Sequence, residues 1–166
     1  SLLYNKIEVI GMDEQYMDMA LQLAKEAAAE GEVPVGCVIV CDGKVVGTGR
    51  NRRETEKTAL GHAEIEAIGQ ACKTLGGWRL WECTLYVTLE PCMMCIGVMN
   101  LARIGKLVYG TEDPKGGAVD SLIQIKTIRH LNAWPKEIQS GVLREECSSI
   151  LTEFFRKRNS LKSIWM

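Results

Sequence analysis

The sequence has no apolar run long enough to cross a membrane, and it does not open with a basic segment followed by an apolar one. We therefore expect no membrane span and no secretory signal. The charge is nearly balanced, with 20 basic and 21 acidic residues and a net charge of −1. This balance argues against a protein that coats nucleic acid through bulk charge, although it leaves room for a local basic patch.

Histidine is scarce, with two residues in a chain of 166, whereas cysteine occurs seven times. An odd number of irregularly spaced cysteines, in a chain long enough to bury a full core, is typical of reduced thiols. We therefore expect a cytoplasmic protein in which most cysteines are small buried hydrophobic residues. Length and composition also predict a single domain over residues 1–166, with its core at about 13–158 and an N-terminal extension at 1–12.

Hydrophobic periodicity predicts helices and strands in an order typical of the α/β class. Asp13 is expected to cap the first helix and Gly31 to end it, while Asp42 and Gly43 predict a hairpin turn. Leu75 is expected on the inward face of the second helix. The predicted helices are 13–31, 62–77, 91–102, a short one near 121–128, and 141–158; the predicted strands are 35–40, 45–49, 84–89, 104–110 and 137–140. Together they predict a mixed sheet with helices on both faces.

Three side chains in two segments have the composition of a metal site. His62 opens the second helix, and Cys92 and Cys95 are three residues apart at the start of the third. Two thiolates and an imidazole suit zinc, and three protein ligands leave a fourth position for water, as in catalytic zinc sites. Glu64, two residues after His62, could then accept a proton from that water.

Neither motif is specific to a catalytic metal site when it stands alone. Cys-x-x-Cys is common in redox pairs, in half-sites of structural zinc and as buried thiols, and His-x-Glu arises by chance. A structural zinc site would need a fourth side chain, for which the candidates are Cys37, Cys41, Cys72, Cys83, Cys147 and His130. The presence of Glu64 argues against a structural site, because such a site needs no nearby base.

His-x-Glu followed by Pro-Cys-x-x-Cys is the signature of zinc-dependent deaminases. From about residue 13 to 158 the chain resembles the bacterial tRNA-specific adenosine deaminases, which convert adenosine to inosine at the wobble position of certain tRNAs. The matching stretches include GEVPVGCVIV, HAEIEAI, TLYVTLEPCMMC, LARIGKLVYGTEDPKGGAVDSL, GVLREEC and EFFRKR. The resemblance implies a three-layer α/β/α, cytidine deaminase-like fold with a central mixed five-stranded sheet. It also implies a homodimer, one Zn²⁺ per subunit, and the tRNA anticodon stem-loop as substrate.

The resemblance assigns roles to individual positions. It implies that His62, Cys92 and Cys95 are the metal ligands and that Glu64 is the proton shuttle. The positions that match substrate-binding residues are Asn51 at the base; Pro34, Val35 and Ala63 around the base pocket; Asp113 and Lys115 near the target nucleotide; and Phe154, Phe155, Arg156 and Arg158 in a tail that holds the anticodon loop.

Several of these side chains could instead serve the fold alone. Asn51 could satisfy a turn, and Asp113 could cap the turn that follows it. Phe154 lies on the apolar stripe of the last helix and is expected in the core, whereas Phe155 lies off that stripe. Arg156 and Arg158 near the end of a helix would be favourable without any RNA.

The sequence departs from the family pattern at positions that spare the metal ligands and Glu64 but could alter contacts with the substrate. Ala59-Leu60-Gly61 stands where Pro-Thr-Ala is usual, and Asn132-Ala133-Trp134-Pro135 stands where Asn-His is usual. Two other functions are therefore kept open: deamination of a free base or nucleoside such as guanine, cytosine or cytidine, and a non-catalytic, zinc-stabilised RNA-binding protein. A basic rim would favour RNA over a free base. Its candidates are Arg50, Arg52, Arg53, Lys57, Arg103, Lys106, Lys115 and the tail.

Overall fold

A computed structural model describes residues 2–128 and 134–165, with side chains from residue 11 onward and up to 164. The helices are α1 (Leu2–Ala29), α2 (Arg53–Glu56), α3 (Ala63–Leu75), α4 (Met93–Ala102) and α5 (Arg144–Trp165), with a 3₁₀ turn at Ile125–Thr127. The strands are β1 (Gly36–Cys41), β2 (Lys44–Arg50), β3 (Cys83–Leu89), β4 (Lys106–Thr111) and β5 (Glu137–Ser140). None of these helices is long and apolar enough to span a bilayer.

The strands form one mixed sheet in the order β2-β1-β3-β4-β5. Strand β1 is antiparallel to both β2 and β3, while β3, β4 and β5 are parallel. Asp42 and Gly43 connect β1 to β2 with φ values of 51° and 71°, which is the backbone of the predicted hairpin turn. The prediction of an α/β fold with a mixed five-stranded sheet is confirmed.

Side chains that alternate along the strands build a separate core on each face of the sheet. Val38 and Val40 of β1 pack with Met17 of α1 and Cys147 of α5. Cys37 and Ile39 point to the opposite face, into the core formed with α3 and α4. The three layers that result put α3 and α4, the helices that carry the predicted metal ligands, on the same face.

Helix α3 lies unusually close to β2 because both elements present small residues to the contact. A Cβ atom on Gly47 would lie 2.3 Å from the carbonyl oxygen of Ala67, and one on Gly49 would lie 2.1 Å from that of Ala63. Ala63, Ala67 and Ala71 form the buried face of the helix, whereas Leu75 is 44% exposed. The prediction that Leu75 faces inward is wrong, because the backbone contact selects for small side chains.

Several predicted element boundaries also differ from the structure. Helix α1 begins at Leu2, so the helix runs through most of the predicted N-terminal extension. Asp13 therefore does not cap a helix; it is buried within α1 and accepts a hydrogen bond of 2.6 Å from the hydroxyl of Tyr86. Helix α4 begins at Met93, with Cys92 as its N-cap and Pro91 before it. The predicted short helix near 121–128 is reduced to the 3₁₀ turn, and α2 lies between the predicted strand 45–49 and the predicted helix 62–77, where no element was expected.

Candidate metal centre and active site

The predicted metal ligands meet where α3 and α4 begin. His62 and Cys92 are the N-cap residues of the two helices, both with extended backbone, and Cys95 lies in the first turn of α4. The Nδ1 atom of His62 is 3.6 Å from the Sγ atom of Cys92 and 3.5 Å from that of Cys95. Within the described ranges, 2–128 and 134–165, they are the one cluster of His, Cys, Asp or Glu side chains with three ligand atoms close enough together to hold a metal ion.

The spacing of the three ligand atoms fits a tetrahedral zinc ion. With Zn–N and Zn–S bonds of about 2.1 Å and 2.3 Å, a nitrogen and a sulfur on one tetrahedral ion lie about 3.6 Å apart. The two distances from His62 Nδ1 to the sulfurs match this value. The donor set also suits zinc, because imidazole and thiolate are ligands that this ion prefers.

The two cysteines differ in how readily each loses its proton. The hydrogen bond from Cys95, together with that from His62, lowers the pKa of Cys92 to about 3 even though burial opposes the charge. The same hydrogen bond to Cys92, together with burial, raises the pKa of Cys95. These opposite shifts belong to two sulfurs that share one proton, and a bound dication would replace that proton. The hydrogen bond with Cys92 also raises the pKa of His62.

Glu64 lies beside the three ligands, although the spacing of two residues from His62 would separate their side chains in a regular helix. His62 has extended backbone as the N-cap, so the two side chains line one cavity. Glu64 is 4% exposed, and burial raises its pKa, as does the nearby Cys92. A carboxyl group with a raised pKa can hold a proton that it must later return.

The other cysteines do not complete a four-ligand site. Cys37 is fully buried in β1, and burial raises the pKa of its thiol, with a further contribution from the negative charge of Glu64. Cys41 and Cys83 are paired across β1 and β3 and hydrogen-bond to each other. Cys72 and Cys147 also lie outside the ligand group. His130 lies outside the residues that the structure describes.

A cavity of about 270 Å³ opens beside the ligands. It is lined by five of the residues predicted to be catalytic or to bind the substrate: Val35, Asn51, Ala63, Glu64 and Asp113. Pro34 is buried but does not line the cavity, and Lys115 is exposed on the loop that carries Asp113. The remaining lining residues are His62, Cys92, Val33, Arg53, Leu89 and Glu90. Glu90 was not predicted from the sequence, although a glutamate at the end of a buried strand, directly before Pro-Cys, is a signal that could have identified it.

Asn51 is held rigidly in the cavity wall. Its Nδ2 atom donates to the carbonyl of Val33 at 3.1 Å, and its Oδ1 atom accepts from the backbone N–H of Arg53 at 3.2 Å. An asparagine amide has two N–H groups and two acceptor lone pairs, so one of each is left over by these bonds. Asn51 therefore satisfies a turn and can also present a fixed donor and acceptor to a base.

Asp113 also combines a structural bond with a place in the cavity. Its Oδ1 atom accepts from the backbone N–H groups of Lys115 at 3.1 Å and Gly116 at 3.2 Å, so it caps the turn that follows it. Its own N–H donates to Oε1 of Glu90 at 3.0 Å. Glu90 therefore orients the segment from which Asp113 reaches the cavity.

A second, larger groove of about 860 Å³ continues from the cavity toward the end of α5. The two spaces share Val33, Asn51 and Arg53. The lining of the groove on α5 consists of Phe154, Lys157, Arg158, Leu161 and Lys162. Phe154, predicted in the core, is half-buried and faces this groove, whereas Phe155 is 41% exposed outside it.

Not all of the predicted basic rim is available to a ligand. Arg50 is paired with Glu26 and Glu30, each at 2.7 Å, and Arg52 is paired with Glu66 at 2.7 Å. Arg156 is exposed and paired with Glu153 at 2.8 Å. The basic side chains that line the groove are Arg53, Lys157, Arg158 and Lys162, of which Lys157 also lies 3.6 Å from the carboxylate of Glu153.

In sequence, the chain is similar to deaminases over most of its length. The sequence profile of the MafB19-like deaminases matches residues 12–159. The chain is 47% identical to a tRNA-specific adenosine deaminase of Bacillus subtilis over 150 residues, which are 90% of this chain and 92% of the relative. It is 43% identical to one from Streptococcus pyogenes over 155 residues, which are 92% of this chain and 90% of the relative.

The solved structures that superpose on the chain also include deaminases. A structure from work on A-to-I editing by tRNA:A34 deaminases at the wobble position of transfer RNA superposes with a TM-score of 0.79 and 42% identity. That match covers 82% of this chain and 99% of the other. A guanine deaminase from Bacillus subtilis superposes with a TM-score of 0.57 and 40% identity, over 60% of this chain and 64% of the other.

Proposed function

The chain belongs to the deaminase family that includes the tRNA-specific adenosine deaminases, and on that premise we propose that it deaminates adenosine to inosine at the wobble position of a tRNA. The observation that carries this proposal is the clustering of His62, Cys92 and Cys95, with Glu64 lining the same cavity as His62 and Cys92. The names of the relatives support the choice of adenosine in tRNA as the substrate.

The cofactor in this proposal is one Zn²⁺ per subunit, held by His62, Cys92 and Cys95. The nitrogen–sulfur distances and the donor set support zinc. When bound in such a site, the ion would lower the pKa of a water to about 7 and so supply a nucleophile at neutral pH.

Glu64 moves the protons of the reaction. Its carboxylate accepts a proton from the attacking water and delivers it to N1 of the adenine ring while oxygen adds to C6. It then carries the proton of the new hydroxyl to the amino group, and the C6–N6 bond breaks to release ammonia. The burial of Glu64, and the raised pKa that follows from it, support this role as a temporary holder of the proton.

The other cavity residues would bind and orient the base. Asn51 offers one N–H and one lone pair at a fixed position, while Val35 and Ala63 form apolar walls. Asp113, in the segment that follows β4, also lines the cavity. A nucleotide of the anticodon loop can enter such a pocket at lower cost than a paired one, because less stacking is lost.

The groove beside α5 would hold the rest of the anticodon loop. Lys157, Arg158 and Lys162 supply positive charge for phosphates, and Phe154 supplies an aromatic surface. Lys115, Phe155 and Arg156 are exposed outside both spaces and would contact RNA that extends beyond them. This groove favours RNA over a free base, which would fill the smaller cavity alone.

The proposal includes a homodimer in the cytoplasm. Helix α4 is apolar on all sides, and Met93 and Leu101 are each 67% exposed. Leu122 is also 64% exposed. An exposed apolar helix face of this kind is typical of an interface, and sedimentation velocity would measure the dimer.

All seven cysteines are free, which supports the reducing compartment that the proposal includes, the cytoplasm.

One experiment separates this function from its rivals. The protein is incubated with an anticodon stem-loop that carries adenosine at the wobble position and, separately, with free adenosine, cytidine and guanine; inosine and ammonia are then measured. We expect inosine from the stem-loop at a rate far above ammonia release from any free compound. Ammonia from guanine or cytidine with no inosine in the RNA would identify a small-molecule deaminase, and no turnover at all would favour a binding protein.

A further inference from the structure

The loop that follows β4 is bound along its length to the segment that leads into α4. This loop, residues 112–121, contains Asp113 and Lys115. Ahead of it, the N–H of Glu90 donates to the carbonyl of Thr111 at 2.9 Å, and within it the N–H of Ala118 donates to the carbonyl of Pro91 at 2.8 Å. The loop is therefore attached next to the metal-binding turn, although it is distant in sequence.

The centre of this attachment is the carboxylate of Glu90, which is 2% exposed. Its Oε2 atom accepts from the backbone N–H groups of Val119, Asp120 and Ser121 at 3.0, 2.9 and 3.1 Å. Its Oε1 atom accepts from the N–H of Asp113 at 3.0 Å and from the hydroxyl of Ser121 at 2.5 Å. One side chain thus binds both ends of the loop.

Gly117 shows how closely the loop is fitted around this carboxylate. A Cβ atom on Gly117 would lie 2.3 Å from Cδ of Glu90 and 2.4 Å from each of its oxygens. The φ angle of Gly117 is not positive, so glycine is needed at this position for steric reasons alone. The carboxylate is enclosed by the loop and does not project into the cavity as a free acid.

We propose that Glu90 is a positioning residue for the substrate: through its hydrogen bond to Asp113 it fixes the loop that closes one side of the base cavity. This inference rests on the proposed function. In it, Glu90 does not touch the reacting atoms and transfers no proton. Its loss therefore weakens the binding of the substrate while the metal and the proton chemistry of Glu64 are preserved.

The Glu90→Gln variant tests this directly. An amide keeps the shape of the side chain but replaces one acceptor with an NH₂ group. That group is best accommodated on the Oε1 side, where the hydroxyl of Ser121 can turn to accept from it. The N–H of Asp113 then faces a donor and is released. The matched control is Glu112→Gln, which removes a carboxylate from the same loop where it pairs with Arg144 at 2.6 Å.

Kinetics on the stem-loop and bound zinc are measured for the wild type and both variants. For Glu90→Gln we expect KM to rise about tenfold and kcat to stay within about twofold. Bound zinc should be unchanged, and Glu112→Gln should match the wild type. The double variant Glu90→Gln/Asp113→Ala should have the KM of Asp113→Ala within about twofold. Both changes remove the contact between the Asp113 side chain and the substrate, one by displacing the loop and the other by truncating the side chain. Additive effects, an unchanged KM or lost zinc would overturn the inference.

Amide hydrogen exchange supplies a readout that does not depend on the substrate. In Glu90→Gln, the amide of Asp113 should exchange faster, while the amides of α4 keep their protection; unchanged exchange at Asp113 would overturn the inference. The wild-type result on the stem-loop decides the proposed function separately. Should Glu90→Gln fail to fold, Glu90→Asp takes its place. Its carboxylate is drawn back by about 1.5 Å, so a wild-type KM in that variant would equally overturn the inference.

Discussion

The Nδ1 atom of His62 lies 3.5 Å from the Sγ atom of Cys95, although 33 residues separate them in the chain. The contact exists because α3 and α4 pack on the same face of the sheet and begin at the same end of it. The position of α3 depends in turn on Gly47 and Gly49, which allow its backbone to approach β2. The candidate site is therefore a consequence of how two helices are seated on the sheet.

The assignment of Glu64 as proton carrier predicts a large loss of turnover without loss of metal. Glu64→Ala should lower kcat on the stem-loop by about 10³-fold, because general acid–base catalysis contributes about 10²- to 10⁴-fold. Bound zinc and the unfolding midpoint should stay close to those of the wild type. Glu66→Ala is the control, since Glu66 lies on the same helix and pairs with Arg52. A Glu64→Ala enzyme with near wild-type inosine formation would refute the assignment.

The groove beside α5 predicts different effects at two arginines of the same helix. Arg158 lines the groove, whereas Arg156 is already paired with Glu153. Arg158→Ala should raise KM for the stem-loop several-fold and lower the dependence of log K on log salt by about 0.7, the value for one phosphate contact on a single strand. Arg156→Ala should have a smaller effect on both quantities. Equal effects of the two variants would contradict the assignment of the stronger phosphate contact to the groove.

The close packing of α3 on β2 predicts opposite stability effects for two glycine substitutions. Gly47→Ala should lower the free energy of unfolding by about 1–3 kcal/mol, because the new methyl group overlaps the α3 backbone. Gly69→Ala, on α3 itself with no atom within 4 Å of the new Cβ, should raise it by about 0.5–1 kcal/mol. Denaturant unfolding measures both changes. A Gly47→Ala protein as stable as the wild type would contradict this packing.

Glu32 predicts an acid-dependent contribution to stability. Burial alone would raise its pKa, but the backbone N–H groups of Thr55 and Glu54, the hydroxyl of Thr55 and the charge of Arg53 together hold the pKa below its usual value. Because the pKa of Glu32 is lowered in the folded protein, its charge stabilises the fold fully above the unfolded pKa of about 4.3. This contribution is lost as the pH falls through the pKa of Glu32 in the folded protein.

Glu32→Gln should therefore be less stable than the wild type at pH 7, by about 1–3 kcal/mol. The difference in the free energy of unfolding between the two proteins should narrow as the pH falls from 5 to 3. Denaturant unfolding at several pH values measures it. A difference that stays constant across this range would mean that the bonds to α2 do not depend on the charge of Glu32.

The features that the sequence predicts well are local ones. The strands, the Asp42-Gly43 turn and the start of α3 after His62 each depend on residues within a few positions of one another. The start of α4 was predicted to within two residues, at Pro91 instead of Met93. The candidate metal ligands could be named because two short motifs specify them together. Their residue types and their places at helix starts were sufficient, without any knowledge of how the helices pack.

The features that the sequence did not reveal depend on contacts between distant segments. Leu75 fits an amphipathic pattern, but the glycines of β2 select the alanine face of α3 instead. Asp13 looks like a helix cap, but its partner is Tyr86, 73 residues away. The place of Glu90 before Pro-Cys could have singled it out, but its role could not be inferred, since its side-chain bonds all reach the loop more than 20 residues later. Such contacts cannot be inferred from periodicity.

X-ray absorption at the zinc edge of the metal-loaded protein tests the central claim most directly, because it counts and identifies the atoms bound to the ion. The geometry of His62, Cys92 and Cys95 predicts one nitrogen at about 2.1 Å, two sulfurs at about 2.3 Å and one light atom from solvent. Cys95→Ala should lose one sulfur, or the ion, while Cys72→Ala should leave the spectrum unchanged. A spectrum with four protein donors, or with fewer than two sulfurs in the wild type, would contradict a catalytic site.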